Sequence, residues 1–302
     1  MKKHNTLRWF KYTASIKESI LPRVLYRSLF CGLFAVGISL LDKYKYEVQV
    51  PVLAAAIPSV VIGLLLVFRT NTAYERFWEG RKLWSNIDIQ IRNISRQILV
   101  IVEEKNIEDA AQKKQALLLL AAFAISAKQR LQKNSNKNEF IDYLSSTQFG
   151  QLSNSKNAPA DILLFLQDYL QTQMHKSNIL VNQVSTIQAS INSLLDSSMG
   201  CERILRTPIP IAYSIHLKQL LLLYCLTLPF QFVNQLGLWT APVVFFVSMG
   251  LLGIEAIGEE IENPFGNDIN DINMVGLCDD VVEGITEIID LQPLSPTYKL
   301  TK

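Results

Sequence analysis

The sequence is poor in the residues that usually perform chemistry. It has three histidines, His4, His175 and His216, too dispersed along 302 residues to suggest a shared metal. Its four cysteines, Cys31, Cys201, Cys225 and Cys278, form no CxxC pair, which argues against a disulfide framework and a zinc site. There is no Gly-rich phosphate loop, no GxSxG elbow and no HExxH. No Ser, His and acid grouping stands out, so an enzyme has no footing and no cofactor is expected. Basic residues do not interleave with aromatics on any strand-like stretch, which removes nucleic acid from the expected partners. No short apolar region ends in a small-residue cleavage site near residue 20, so no removable signal peptide is expected. Strand alternation and internal repeats are also missing. Charge itself is scarce: 19% of residues are charged against 49% hydrophobic, with a formal net charge of +2.

Several long windows carry no charge. Residues 28–41 (SLFCGLFAVGISLL) form a short one, extended if Arg23 and Arg27 reach toward headgroups. Residues 48–68 (VQVPVLAAAIPSVVIGLLLVF) form a second, close to the roughly 20 residues that a bilayer crossing needs. Residues 219–254 hold no charge, enough for two passes with a break at Asn234-Gln235-Leu236-Gly237. Four spans are therefore expected, about 24–42, 49–68, 211–234 and 238–257. Cationic residues crowd the N-terminus (Lys2, Lys3, Arg8, Lys11, Lys17, Arg23, Arg27) and follow the second span (Arg69, Arg76, Arg81, Lys82). The positive-inside rule puts both termini and the segment 69–210 in the cytoplasm.

Between the spans the chain is patterned for a cytosolic helical bundle, with helices expected within 70–205 and 258–290. Trp84, Ile87, Ile91, Ile94, Ile98 and Ile101 follow helical spacing over 72–104, with Thr72 and Glu75 as a capping box at the start. The apolar run Ala116 to Ala127 is too short to span and is expected as a buried helix within 110–131. Polar loops are expected at 132–138 and 150–159, and further helices at 160–175 and 178–200. Glu259, Glu260 and Glu262 have no evident partner and are expected to be solvated acids at the membrane edge. The fold class is all-α, a single domain over 1–302.

Three stretches, each beside an apolar window, carry a resemblance: FRTNTAYERFWEGRKLW at 68–84, TPIPIAYSIHLKQ at 207–219 and ENPFGNDINDI at 262–272. Together they resemble the bestrophin family in its bacterial and plant-plastid branch, over nearly the whole chain. The resemblance implies a homopentamer embedded in a lipid bilayer, with one central pore. It implies passive conduction of inorganic ions, mostly chloride and related anions, although at least one bacterial relative prefers cations. A cation channel on the same scaffold and a non-conducting membrane scaffold are the alternatives. A plasma membrane and a photosynthetic internal membrane are both compatible hosts.

Val60, Leu64 and Phe68 recur every four residues and share a helix face. Spacing alone allows that face to meet lipid, a neighbouring helix or a pore. The resemblance points to the pore neck, where stacked apolar rings gate by dewetting. Ala54, Ala55, Ala56 and Gly63 permit close helix approach, and Pro51 and Pro58 can break or bend the helix. The resemblance also places a cytosolic aperture at Thr207-Pro208-Ile209-Pro210, with Thr207 and Ile209 as its rings; the alternative is a turn that only redirects the chain. Asp268 and Asp271 resemble a sparse remnant of the animal family's calcium clasp. The alternative is that they cap the following helix or bind basic residues near the N-terminus.

Overall fold

The computed structural model describes residues 19–44, 46, 48, 56–132, 139–152 and 155–291. Among these residues all regular structure is helical and no strand occurs. The helices are α1 (Leu21–Lys43), α2 (Ala56–Ile101), α3 (Ile107–Leu131), α4 (Ser146–Leu152), α5 (Ala158–His175), α6 (Val181–Arg206), α7 (Ile211–Leu236), α8 (Thr240–Ile261) and α9 (Met274–Asp290). Residues 49–55 of the expected second span, with Pro51, Ala54 and Ala55, lie outside the described residues, as do the basic stretch 1–18 and the loop 133–138. The chain divides into two compact units. One holds α1, α2 as far as Phe77, α7 and α8; the other holds α2 from Trp78 onward, α3–α6 and α9.

In the first unit, α1 presents a seam of small buried residues, Ser28, Cys31, Gly32, Ala35 and Ser39. A Cβ on Gly32 would stand 3.2 Å from Phe245 Cβ, so glycine sets the approach of α1 to α8. No such contact occurs at Gly63, where a Cβ would meet nothing within 4 Å. Cys31, Ala35, Cys225, Leu228, Ala241 and Val244 form one apolar cluster. Val24, Ile62, Leu66, Leu217, Leu221, Leu252 and Ala256 form another. The break expected at 234–237 is present: α7 ends at Leu236 and Gly237 turns the chain with φ +52, a conformation costly for a residue with a Cβ.

In the second unit the run Ala116 to Ala127 of α3 is buried, apart from partly covered Leu118. Asn106 caps α3 by accepting the Asp109 N–H at 2.7 Å, and acids at its start and bases at its end suit the helix dipole. Asp109 is itself buried. Burial opposes its ionisation, but the hydrogen bond and charge of Lys176 and the Lys105 N–H outweigh it and hold the carboxyl below its ordinary range.

Two expectations fail. The helix assigned to 72–104 has no start there: α2 runs unbroken from Ala56, so Thr72 and Glu75 are interior residues and cap nothing. Pro58 lies within α2 and does not end it: the helix continues through it.

Candidate functional site

The first turns of α2 have two faces. Ile62 and Leu66 are buried in the first unit. Val60, Leu64 and Phe68 stand on the other side, 58%, 52% and 61% exposed, flanked by exposed Val61 and Val67. An apolar stripe over several turns, left bare by its own chain, marks a surface made for something else.

Directly after Phe68 comes Arg69, 2% exposed. Its guanidinium donates to Ser214 Oγ at 2.6 Å and to Glu262 Oε2 at 3.3 Å. The other oxygen of Glu262 accepts the Ile209 N–H at 2.9 Å, and its backbone carbonyl accepts Arg76 Nε at 3.1 Å. Tyr213 donates its hydroxyl to the Leu65 carbonyl at 3.0 Å. Glu262 therefore fastens the end of α8 to α2 and to the Pro208–Pro210 turn. A buried arginine needs such compensation, since desolvating a lone charge costs several kcal/mol. At the same level a Cβ on Gly258 would sit 3.4 Å from Thr70 Cγ2, which keeps α8 close to α2.

These contacts frame a cleft of ≈ 550 Å³ lined by Leu65, Phe68, Arg69, Thr72, Arg76, Pro208, Ile209, Pro210 and Tyr213. Phe68 and Ile209, expected separately at neck and aperture, thus share one cleft. Val60 and Leu64 continue the Phe68 face along α2. Thr207 is not among the lining residues; it ends α6, and its hydroxyl donates to the Arg203 carbonyl at 2.6 Å. Arg69 and Tyr213, which line the cleft, and Glu262, which holds Arg69 and the Ile209 N–H, were not expected as site residues, although all lie inside the three motifs.

The glutamates are not solitary solvated acids. Glu259 lies 2.8 Å from Lys218 Nζ, Glu260 lies 3.2 Å from Arg23, and Glu262 holds Arg69. Asp268 also bonds Arg23, at 2.9 Å. Asp271 belongs to the other unit, and α9 is capped by Asn273, whose side chain accepts the Gly276 N–H. Among the described residues no group of three or more His, Cys, Asp or Glu is arranged to hold a metal. The Asp268 carboxylate is engaged by Arg23, as in the alternative to a calcium clasp, a basic partner near the N-terminus.

Leu21–Lys43 and the α7–α8 pair, Ile211–Ile261, are long and apolar enough to cross a membrane. Residues 1–287 match the model of a family described as bacterial/fungal bestrophin proteins. The chain is 46% identical to a voltage-dependent anion channel-forming protein of Nostoc sp., over 97% of this chain and 94% of the relative. It is 41% identical to a protein of the same description from Synechocystis sp., over 95% and 91%. The crystal structure of a single-substitution variant of a bacterial bestrophin homologue from Klebsiella pneumoniae superposes with a TM-score of 0.83, at 25% identity, over 90% of this chain and 99% of that one.

Proposed function

The chain belongs to the bacterial/fungal bestrophin family and is an integral membrane protein, and from that premise we propose that it forms a passive anion-selective channel as a homopentamer around one central pore. The observation that carries the reading is the bare apolar stripe of α2. Copies of the chain meeting along it enclose stacked rings of Val60, Leu64 and Phe68, an uncharged neck that ions cross after shedding water. Ile209, and Thr207 two residues before it, line the cytosolic aperture. Arg69 and Arg76 line the cleft at Phe68, but Arg69 is ion-paired with Glu262, so the cleft alone does not set the sign of the ion. Four spans, 24–42, 49–68, 211–234 and 238–257, put both termini in the cytoplasm of a plasma or photosynthetic internal membrane. No step depends on calcium.

The relatives' description as anion channel-forming supports the sign of the ion. An apolar neck does not set that sign by itself, so a cation channel is the second reading. It draws on Glu255, Glu259 and Glu260, but each of these lies within ion-pair distance of Lys218 or Arg23, which lowers the field available to a cation. Purified protein in planar bilayers under a chloride gradient tests the choice. Reversal near the chloride equilibrium value is expected, and reversal near the cation value would overturn anion selectivity. Mass measurement in detergent tests the assembly, since a monomer cannot build the shared pore.

A further inference from the structure

A second cavity, ≈ 330 Å³, lies in the first unit among α1, α7 and α8, and the neck and aperture residues take no part in it. Its lining is layered. Arg27 on α1, Lys218 on α7 and Glu255 on α8 form a polar level. One helical turn further along each helix, on the side toward the middle of its span, stand Phe30, Leu222 and Leu252. Three helices thus repeat the same step, charge and then hydrocarbon, at matching depth.

The polar level holds one unsatisfied acceptor. Glu255 is 1% exposed, yet its Oε1 accepts no hydrogen bond among the described residues and meets only Lys218 Nζ at 3.7 Å. Lys218 is drawn the other way, donating to Glu259 at 2.8 Å. A carboxylate so enclosed calls for a donor. Arg27 is exposed, and its guanidinium is the group best shaped to grip a phosphate. Lys218 already shares its charge with Glu259, so the exposed Arg27 is the lining's main cation for an anionic group.

We infer that this cavity binds a membrane phospholipid whose anionic headgroup carries hydroxyls, of the phosphatidylglycerol type. The phosphate sits on Arg27 and Lys218, a headgroup hydroxyl donates to Glu255, and part of an acyl chain lies on Phe30, Leu222 and Leu252. A zwitterionic choline headgroup supplies neither a net negative charge nor a hydroxyl donor. The inference rests on α1, α7 and α8 crossing the bilayer as proposed above, but its assay reads lipid and not current, so either can fail while the other stands.

Native mass spectrometry of the full-length assembly, purified after exposure to equal phosphatidylglycerol and phosphatidylcholine, is the test. Preferential retention of phosphatidylglycerol is expected. Arg27→Ala should lower that retention about fivefold, the value of one basic residue near an anionic headgroup. Leu222→Trp, at an exposed position, fills the cavity and should abolish the preference, with elution and thermal midpoint unchanged for both variants. Excess inorganic phosphate should displace nothing. Equal retention of the two lipids by the unmodified protein, undiminished preference in both variants, or displacement by inorganic phosphate would each overturn the inference.

Discussion

Helix α2 carries one apolar periodicity through two surroundings. Near its start Val60, Leu64 and Phe68 are more than half exposed, while Ile87, Ile91, Ile94 and Ile98 further along are fully buried. The later stretch is held by its own chain: Asn86 donates to Ser193 and Ser197 of α6, and Gly284 of α9 comes so close to Arg92 that a Cβ there would meet its guanidinium at 3.0 Å. Each buried isoleucine contributes about 1.5–3 kcal/mol to folding. The bare residues contribute little within one chain, which frees them to serve the assembly. Three- and four-residue spacing marks a face that avoids water in both cases, and only the partner tells core from pore wall.

The contrast can be broken at several points. The largest effect is expected at Glu262→Gln, which leaves Arg69 without its counter-charge beside the bare stretch. A cost of about 3–5 kcal/mol is expected from thermal unfolding in detergent, with partial recovery in the Arg69→Met/Glu262→Gln double variant. Ile94→Ala in the buried stretch should cost about 2–5 kcal/mol with single-channel conductance preserved in the folded fraction. Leu64→Ala inverts that pattern: less than about 1 kcal/mol of stability, but altered current in planar bilayers. The smallest effect is an acid one. Asp109 has a depressed carboxyl in the folded protein, so its contribution is present above the ordinary carboxylate range and lost as pH falls through the lowered value. Asp109→Asn should flatten this acid limb in unfolding midpoints taken from pH 6 to about 3.

Much of the fold was legible because absence of charge is a strong signal. Missing charge marks α1, α7 and α8, and the burial of Ala116 to Ala127 follows from a run too short to span. The unbroken course of α2 was not legible. A charge at residue 69 ordinarily ends a span, and Thr72 with Glu75 imitates a helix start, but Arg69 folds its charge inward onto Ser214 and Glu262 and the helix passes on. The pairing of the glutamates is hidden from the sequence for a related reason. The partners of Glu262 and Glu260 lie 193 and 237 residues away, a separation that no local pattern reports. For the site, the motifs led to Phe68 and Ile209, while the shared cleft depends on the Glu262 link between α8, α2 and the Pro208–Pro210 turn. That link is tertiary, and it is visible only in the folded chain.

The central claim is that the bare stripe of α2 is the pore wall. Single-channel recording of Phe68→Ala beside the unmodified protein, in planar bilayers under a chloride gradient, tests it most directly. Removing five aromatic rings at the cytosolic end of the neck should raise conductance severalfold, with the assembly intact by mass. Unchanged conductance and unchanged reversal potential would contradict it.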